Sequence, residues 1–123
     1  MKKGLSASEE ELMNHLWQLE KAFMKDLLEA YPEPKPATTT LATMLKRMAK
    51  KQFVGYTLFG NSRQYYPLVT KEAYFSKQLN GLVQNFFNNS PSQFVSFFTN
   101  TSNLSKKELE SLRSLINNKL DQQ

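Results

Sequence analysis

Cysteine is absent from the 123 residues, which removes disulfide scaffolds, thiolate zinc sites, iron–sulfur clusters and cysteine nucleophiles together. Histidine occurs once, at His15, so an imidazole metal cage is not expected and a helix-surface or satisfied core histidine is. Long apolar runs are missing as well; no window approaches the ~18 apolar residues that a membrane span requires. The lysines of Met1-Lys2-Lys3-Gly4 precede Leu5-Ser6-Ala7-Ser8-Glu9-Glu10-Glu11 rather than an apolar stretch, so no signal peptide is expected and the protein reads as cytoplasmic. Gly-rich phosphate loops, nucleophile elbows and metal-ligand spacings do not occur. The acidic residues concentrate in the first and last helical segments, at capping positions that should face solvent. Tyr65 and Tyr66 are neighbours in a strand pattern, so one should be core and the other surface. No enzyme and no cofactor are expected.

What is present is one small domain with a helical extension, long enough to bury a core without a metal or disulfide staple. The net charge of +5 is unevenly placed. Residues 1–34 carry −3, residues 35–77 carry +7 and residues 78–123 carry +1, which confines the excess to the middle third. A basic middle between an acidic start and a neutral tail points to a surface that faces a polyanion.

Ser6 and Ser8 each open a capping box, and Leu12, Met13, Leu16, Trp17 and Leu19 follow on an apolar face, predicting a helix over about 8–20. Met24, Leu27, Leu28 and Tyr31 form a second, short helix that Pro32, Pro34 and Pro36 end. Thr38 offers an N-cap to a third helix over about 38–51, with Leu41, Met44, Leu45 and Met48 inward. From Phe53 to Leu58 and Arg63 to Val69 the residues become β-branched and aromatic around Gly60-Asn61, which predicts a two-stranded ribbon with Pro67 near a strand end. Helical patterns return after Thr70, with Phe75, Leu79, Leu82, Val83 and Phe86 on one side. Ser90-Pro91-Ser92-Gln93 opens an aromatic helix with Phe94, Phe97 and Phe98, and Ser105 with Glu108 opens a last one carrying Leu109, Leu112, Leu115, Ile116 and Leu120.

Three helices followed by a hairpin is the order of a winged helix-turn-helix module, in which the third helix enters the major groove and the wing lies along the backbone. The expected fold is therefore mostly α: a winged helix over residues 1–70 and a helical dimerisation domain over 71–123. Candidate DNA-contacting residues are Thr38, Thr39, Thr40, Thr43, Lys46, Arg47, Lys50, Lys51 and, from the wing, Arg63. Threonines are short enough to bring the helix near base edges, and the cations would neutralise phosphates. Phe75, Leu79, Leu82, Phe86, Phe94, Phe97, Phe98, Leu109, Leu112 and Ile116 offer more apolar surface than so small a module can cover, and a second copy would bury it while duplicating the reading helix for a palindromic site. A different class of function, a protein-interaction module on the same fold without DNA binding, would show itself as a monomer with exposed apolar surface. RNA binding is less favoured, because the stacking aromatics of single-strand readers are not evident.

Leu5-Ser6-Ala7-Ser8-Glu9 with Met13 and Trp17, the run Thr38-Thr39-Thr40-Leu41 to Leu45-Lys46-Arg47-Met48-Ala49-Lys50-Lys51, Tyr65-Tyr66-Pro67-Leu68-Val69, and Leu104-Ser105-Lys106-Lys107-Glu108-Leu109 together resemble the penicillinase-repressor (BlaI/MecI/CopY) family over nearly the whole chain. The resemblance implies a dimeric winged-helix repressor of double-stranded operator DNA. In it Thr39, Thr40 and Thr43 would face the operator, and Lys46 and Arg47 would lie along its edge. Ala42 stands where relatives often place a basic residue. Antibiotic-responsive members are cut by a sensor-linked protease at an Asn-Phe bond, which would make such a protease a partner; the corresponding pair here is Phe97-Phe98. Copper-responsive members use C-terminal cysteines, a mode this chain does not share.

Overall fold

The computed structural model describes residues 4–123; Met1, Lys2 and Lys3, on which the reading of the N-terminal start partly rests, lie outside them. The elements run α1 (Ala7–Leu19), β1 (Ala22–Phe23), α2 (Met24–Ala30), α3 (Thr38–Lys50), β2 (Val54–Phe59), β3 (Ser62–Pro67), α4 (Lys71–Phe86), α5 (Pro91–Thr101) and α6 (Lys106–Asp121). The chain forms two compact units, the first ending at Ser76 and the second running from Lys77 to Gln123.

Each helix of the first unit starts and stops for a local reason. Ser6 caps α1 through a complete capping box, its hydroxyl accepting from the Glu9 N–H while the Glu9 carboxylate accepts from the Ser6 N–H. In α2 the Asp26 carboxylate accepts from the Phe23 N–H at the start. At the other end of α2, the Lys35 ammonium donates to the carbonyls of Leu28, Glu29 and Tyr31, satisfying acceptors that the helix itself leaves open. Helix α3 begins one residue earlier than a Thr38 cap would place it. Extended backbone at Ala37 (φ −69°, ψ 145°) makes that residue the N-cap and puts Thr38 inside the first turn. It ends in a Schellman turn: Gln52 has φ +68°, its N–H reaches the Ala49 carbonyl, and the Phe53 N–H reaches the Met48 carbonyl.

The core lies under these helices. Leu12, Met13 and Leu16 from α1, Leu27 from α2, and Leu41, Met44, Leu45 and Met48 from α3 interlock with Phe53, Val54, Tyr65 and Tyr74. Each such side chain contributes about 1.5–3 kcal/mol when fully buried. Met44 and Met48 are thus core, and of the adjacent tyrosines Tyr65 is buried while Tyr66 is half-buried. Leu19, expected on the inner face of α1, is exposed, because the helix ends there with Glu20 at φ +69°. His15, expected as a helix-surface or satisfied core histidine, is half-buried and packed against Tyr31 with ring centroids 4.4 Å apart, and its Nε2 has no hydrogen-bond partner.

The expected two-stranded ribbon is a three-stranded antiparallel sheet in the order β1-β3-β2. Ala22 and Phe23 pair with Tyr65 and Gln64, and a two-residue strand is too short to show an alternating pattern in sequence. The hairpin itself turns at Gly60-Asn61, with Gly60 at φ +63°, pairing Phe59 with Ser62 and Val54 with Pro67. The Trp17 indole N–H donates to the Val69 carbonyl at 2.8 Å, which ties the exit of the wing to α1.

In the second unit Ser90 caps α5 through its hydroxyl, which accepts from the Gln93 N–H. Gln93 does not complete a box; its side-chain oxygen accepts from Asn88 instead. Ser105 and Glu108 form the full reciprocal box of α6. The rings of Phe87, Phe94, Phe97 and Phe98 contact one another. Yet neither α5 nor α6 buries a single residue, and the only buried residue of α4 is Tyr74, which belongs to the first unit.

Candidate nucleic-acid interface

Helix α3 has two faces of opposite character. Leu41, Met44, Leu45 and Met48 point into the core, so the helical period turns Thr38, Thr39, Thr40, Thr43, Lys46, Arg47 and Lys50 outward, and all seven are exposed. The Thr43 hydroxyl donates to the Thr39 carbonyl at 2.9 Å, which fixes its rotamer and leaves its lone pairs and methyl outward. Thr39, Thr40, Thr43 and Arg47 line a cleft of about 400 Å³ together with Ser6 and Ser8 from the start of α1. Small hydroxyl groups precede cations along the exposed side, and an outward helix of this kind can lie close to a groove without steric obstruction.

The cations are not equivalent. Lys46 and Lys50 project into solvent. Arg47 is 57% exposed, with its Nε 3.6 Å from Glu9 Oε2. Lys51 is only 25% exposed: its Nζ donates to Glu9 Oε1 at 3.1 Å and to the Gly4 carbonyl at 3.3 Å. Lys35, which contributes to the basic middle third, is occupied in capping α2.

Glu9 was expected to face solvent and is instead 2% exposed, the one charged side chain buried among the described residues. Burial pushes its carboxyl up, and the Ser6 N–H, the Lys51 ammonium and the Ser6 hydroxyl together outweigh that, holding it below the ordinary 4.5. The capping-box spacing was visible in the sequence; that the same carboxylate also meets the end of α3 depends on the crossing of two helices, which spacing does not encode.

On the wing, the Arg63 guanidinium lies over the Tyr56 ring, 4.4 Å from its centroid. Tyr56 escaped the sequence reading although the signal existed. A two-residue turn at Gly60-Asn61 pairs Arg63 with Leu58, which makes Tyr56 its diagonal neighbour on the same face. Among the described residues no three His, Asp or Glu side chains converge as a metal site, and no helix is long and apolar enough to cross a membrane.

The expected apolar set of the C-terminal third is largely in contact with solvent. Phe75, Leu79, Leu82, Phe97, Phe98, Leu109 and Ile116 are exposed, as is Phe86 at 75%, while Phe94 and Leu112 are half-buried. Phe75 belongs to the first unit, where its ring meets those of Trp17 and Tyr74.

Three helices on a core, a short β1 pairing with the hairpin, and an outward third helix define a winged helix-turn-helix protein. Solved structures share that fold. Wild-type MarR from E. coli in its apo form aligns with a TM-score of 0.51 at 18% identity, covering 94% of this chain and 78% of that one. A MarR mutant from E. coli complexed with operator DNA aligns at 0.50 and 19% identity, covering 94% and 76%. Residues 5–118 match the family model described as penicillinase repressor, and the chain belongs to that family. It is accordingly a DNA-binding transcriptional repressor and not an enzyme. Among curated relatives, the methicillin resistance regulatory protein MecI of Staphylococcus aureus (strain N315) is 27% identical over 116 residues, and that of Mammaliicoccus sciuri 26%, each alignment covering 94% of both chains.

Proposed function

We propose that the protein represses transcription as a homodimer, each copy presenting the outer face of α3 to one half of a pseudo-palindromic operator. The observation that carries this reading is the exposed row from Thr38 to Lys50 on a helix whose opposite face is fully committed to the core. Thr39, Thr40 and Thr43 read base edges, Thr38 approaches the backbone at the helix start, and Lys46, Arg47 and Lys50 neutralise phosphates. Arg63, stacked on Tyr56, contacts the backbone from the wing. Lys51 stands at the same edge but bonded inward.

The dimer is supported by the absence of any buried residue in α5 and α6, since apolar helices of this kind require cover. A second copy supplies it symmetrically, across Leu79, Leu82, Phe86, Phe94, Phe97, Phe98, Leu109, Leu112 and Ile116, with Phe75 at the start of α4. In this reading residues 1–70 serve reading and residues 71–123 serve pairing, while the compact first unit extends to Ser76, into the start of α4. The protein acts in the cytoplasm, on a double-stranded DNA operator. A sensor-linked protease that cuts between Phe97 and Phe98 meets a bond inside α5, so cutting requires that helix to open locally.

Duplexes retained by the protein from genomic fragments supply the operator, and a gel-shift series in salt tests the mode of binding. With ~6–10 phosphate contacts, affinity falls by about 10³–10⁵ between ~50 and ~200 mM salt. A flat response refutes the reading. Light scattering of the purified chain gives a dimer; a stable monomer favours a protein-interaction module instead.

A further inference from the structure

The buried Glu9 carboxylate is placed where a helix cap alone would not need it. Its Oε1 accepts from the Ser6 N–H at 2.9 Å, as a capping box requires, and from Lys51 Nζ at 3.1 Å. Its Oε2 makes no hydrogen bond and lies 3.6 Å from Arg47 Nε. One anion of α1 therefore meets two cations at the C-terminal end of the reading helix.

We infer that Glu9 sets the specificity of DNA binding, by withholding Lys51 from the phosphates and holding Arg47 by one edge of its guanidinium. The inference rests on the DNA-binding reading above. Lys51 cannot swing out to a phosphate without leaving a buried carboxylate unpaired, a cost that no single exposed phosphate contact offsets. Arg47 is different: its Nε faces Glu9 while most of the side chain stays exposed, so its outer nitrogens remain available in a restrained orientation. Contacts to phosphate from mobile cations raise affinity for every sequence alike, whereas a restrained arginine at the edge of the helix rewards only a duplex that meets it in register. Glu9 thus lowers indiscriminate binding more than it lowers operator binding.

The test compares Glu9→Gln, Lys51→Gln and Lys46→Gln with the full wild-type chain. Anisotropy titrations over a salt series use two probes: a labelled duplex of scrambled sequence, and the duplex that the wild type selects from a random library. Glu9→Gln keeps an acceptor for the Ser6 N–H and removes the charge. It is expected to bind the scrambled duplex more tightly, with a salt slope steeper by about 0.9–1.8. The ratio of selected to scrambled affinity should fall by about fivefold or more. Lys51→Gln should leave the slope unchanged, while Lys46→Gln lowers it by about 0.9. A folded Glu9→Gln with wild-type slope and ratio overturns the inference; so does a Lys51→Gln slope that falls as far as that of Lys46→Gln, a comparison that also decides the matter if Glu9→Gln fails to fold. A wild type that binds neither probe overturns the DNA reading and this inference with it. In that event, competitive acetylation read by mass spectrometry reports on the clamp alone, since Lys51 should react more slowly than Lys46 in the wild type and equally fast in Glu9→Gln.

Discussion

The Tyr74 hydroxyl donates a 2.6 Å hydrogen bond to Glu10 Oε2, joining the first turns of α4 to the first turns of α1 across 64 positions of sequence. Tyr74 is buried, its ring lying edge-on to Phe53 and tilted against Trp17, so the hydroxyl is delivered to Glu10 by aromatic packing. Removing only the oxygen, in Tyr74→Phe, keeps that packing and breaks the bond. A loss of about 1.5 kcal/mol is expected in urea unfolding, the lower end for a bond to a charged acceptor because Glu10 is half-buried and can rehydrate.

Alkaline titration should reveal that Tyr31 and Tyr74 ionise late. Burial, and then the Glu11 charge, push Tyr31 up to about 12. Burial and the Glu10 hydrogen bond push Tyr74 to the same region, with the nearby Glu10 and Glu9 charges adding to them and the Leu5 N–H opposing them. Both folded values lie above the ordinary 10.0, so the stability linked to them is complete below pH 10 and is lost as pH rises through about 12. Phenolate absorbance and urea midpoints across that window measure the two together.

The acid side has the opposite sign. The Glu9 carboxyl is held below its ordinary 4.5, so the stability it contributes is present above that value and is lost as pH falls through the lower, folded one. Glu9→Gln should be less stable at neutral pH and should show a flatter decline on acidification, as followed by circular dichroism in urea at each pH.

Gln52 closes α3 in the left-handed region, at φ +68°. A side chain there costs about 1–2 kcal/mol that glycine does not incur, partly offset by the greater freedom of glycine in the unfolded chain. Gln52→Gly is expected to raise stability by about 0.5–1 kcal/mol in denaturant unfolding without changing DNA affinity, since Gln52 lies beyond the reading face.

Substituting Phe86 or Phe97 by Glu should abolish the proposed dimer in light scattering while circular dichroism of the first unit is retained, because neither side chain contributes to its core. Loss of the winged-helix signal in both variants would count against assigning these residues to pairing.

Much of the architecture was legible because it is written in local chemistry. The boxes at Ser6 and Ser105, the proline at position 91, the Gly60 turn and the inward stripe of Leu41, Met44, Leu45 and Met48 each act within a few residues, and each appears where the pattern puts it. What escaped were relations between distant segments. The pairing of Ala22 with Tyr65 and the meeting of Glu9 with Lys51 depend on how helices and strands cross, and neither has a spacing to announce it. Lys35 illustrates the same limit from the side of charge: counted as part of a basic region, it is consumed by three carbonyls at the end of α2. A count of cations therefore overstates how many can meet a phosphate.

If two copies pair as proposed, helices α5 and α6, with nothing buried, make dilution a denaturant. In that case part of their stability comes from association, so the melting temperature of the chain should climb with its concentration, and scarce molecules should be frayed and short-lived where abundant ones endure. A cell that makes little of this protein would then lose it faster than in proportion, and its promoters would open along a steeper curve than single-site occupancy gives.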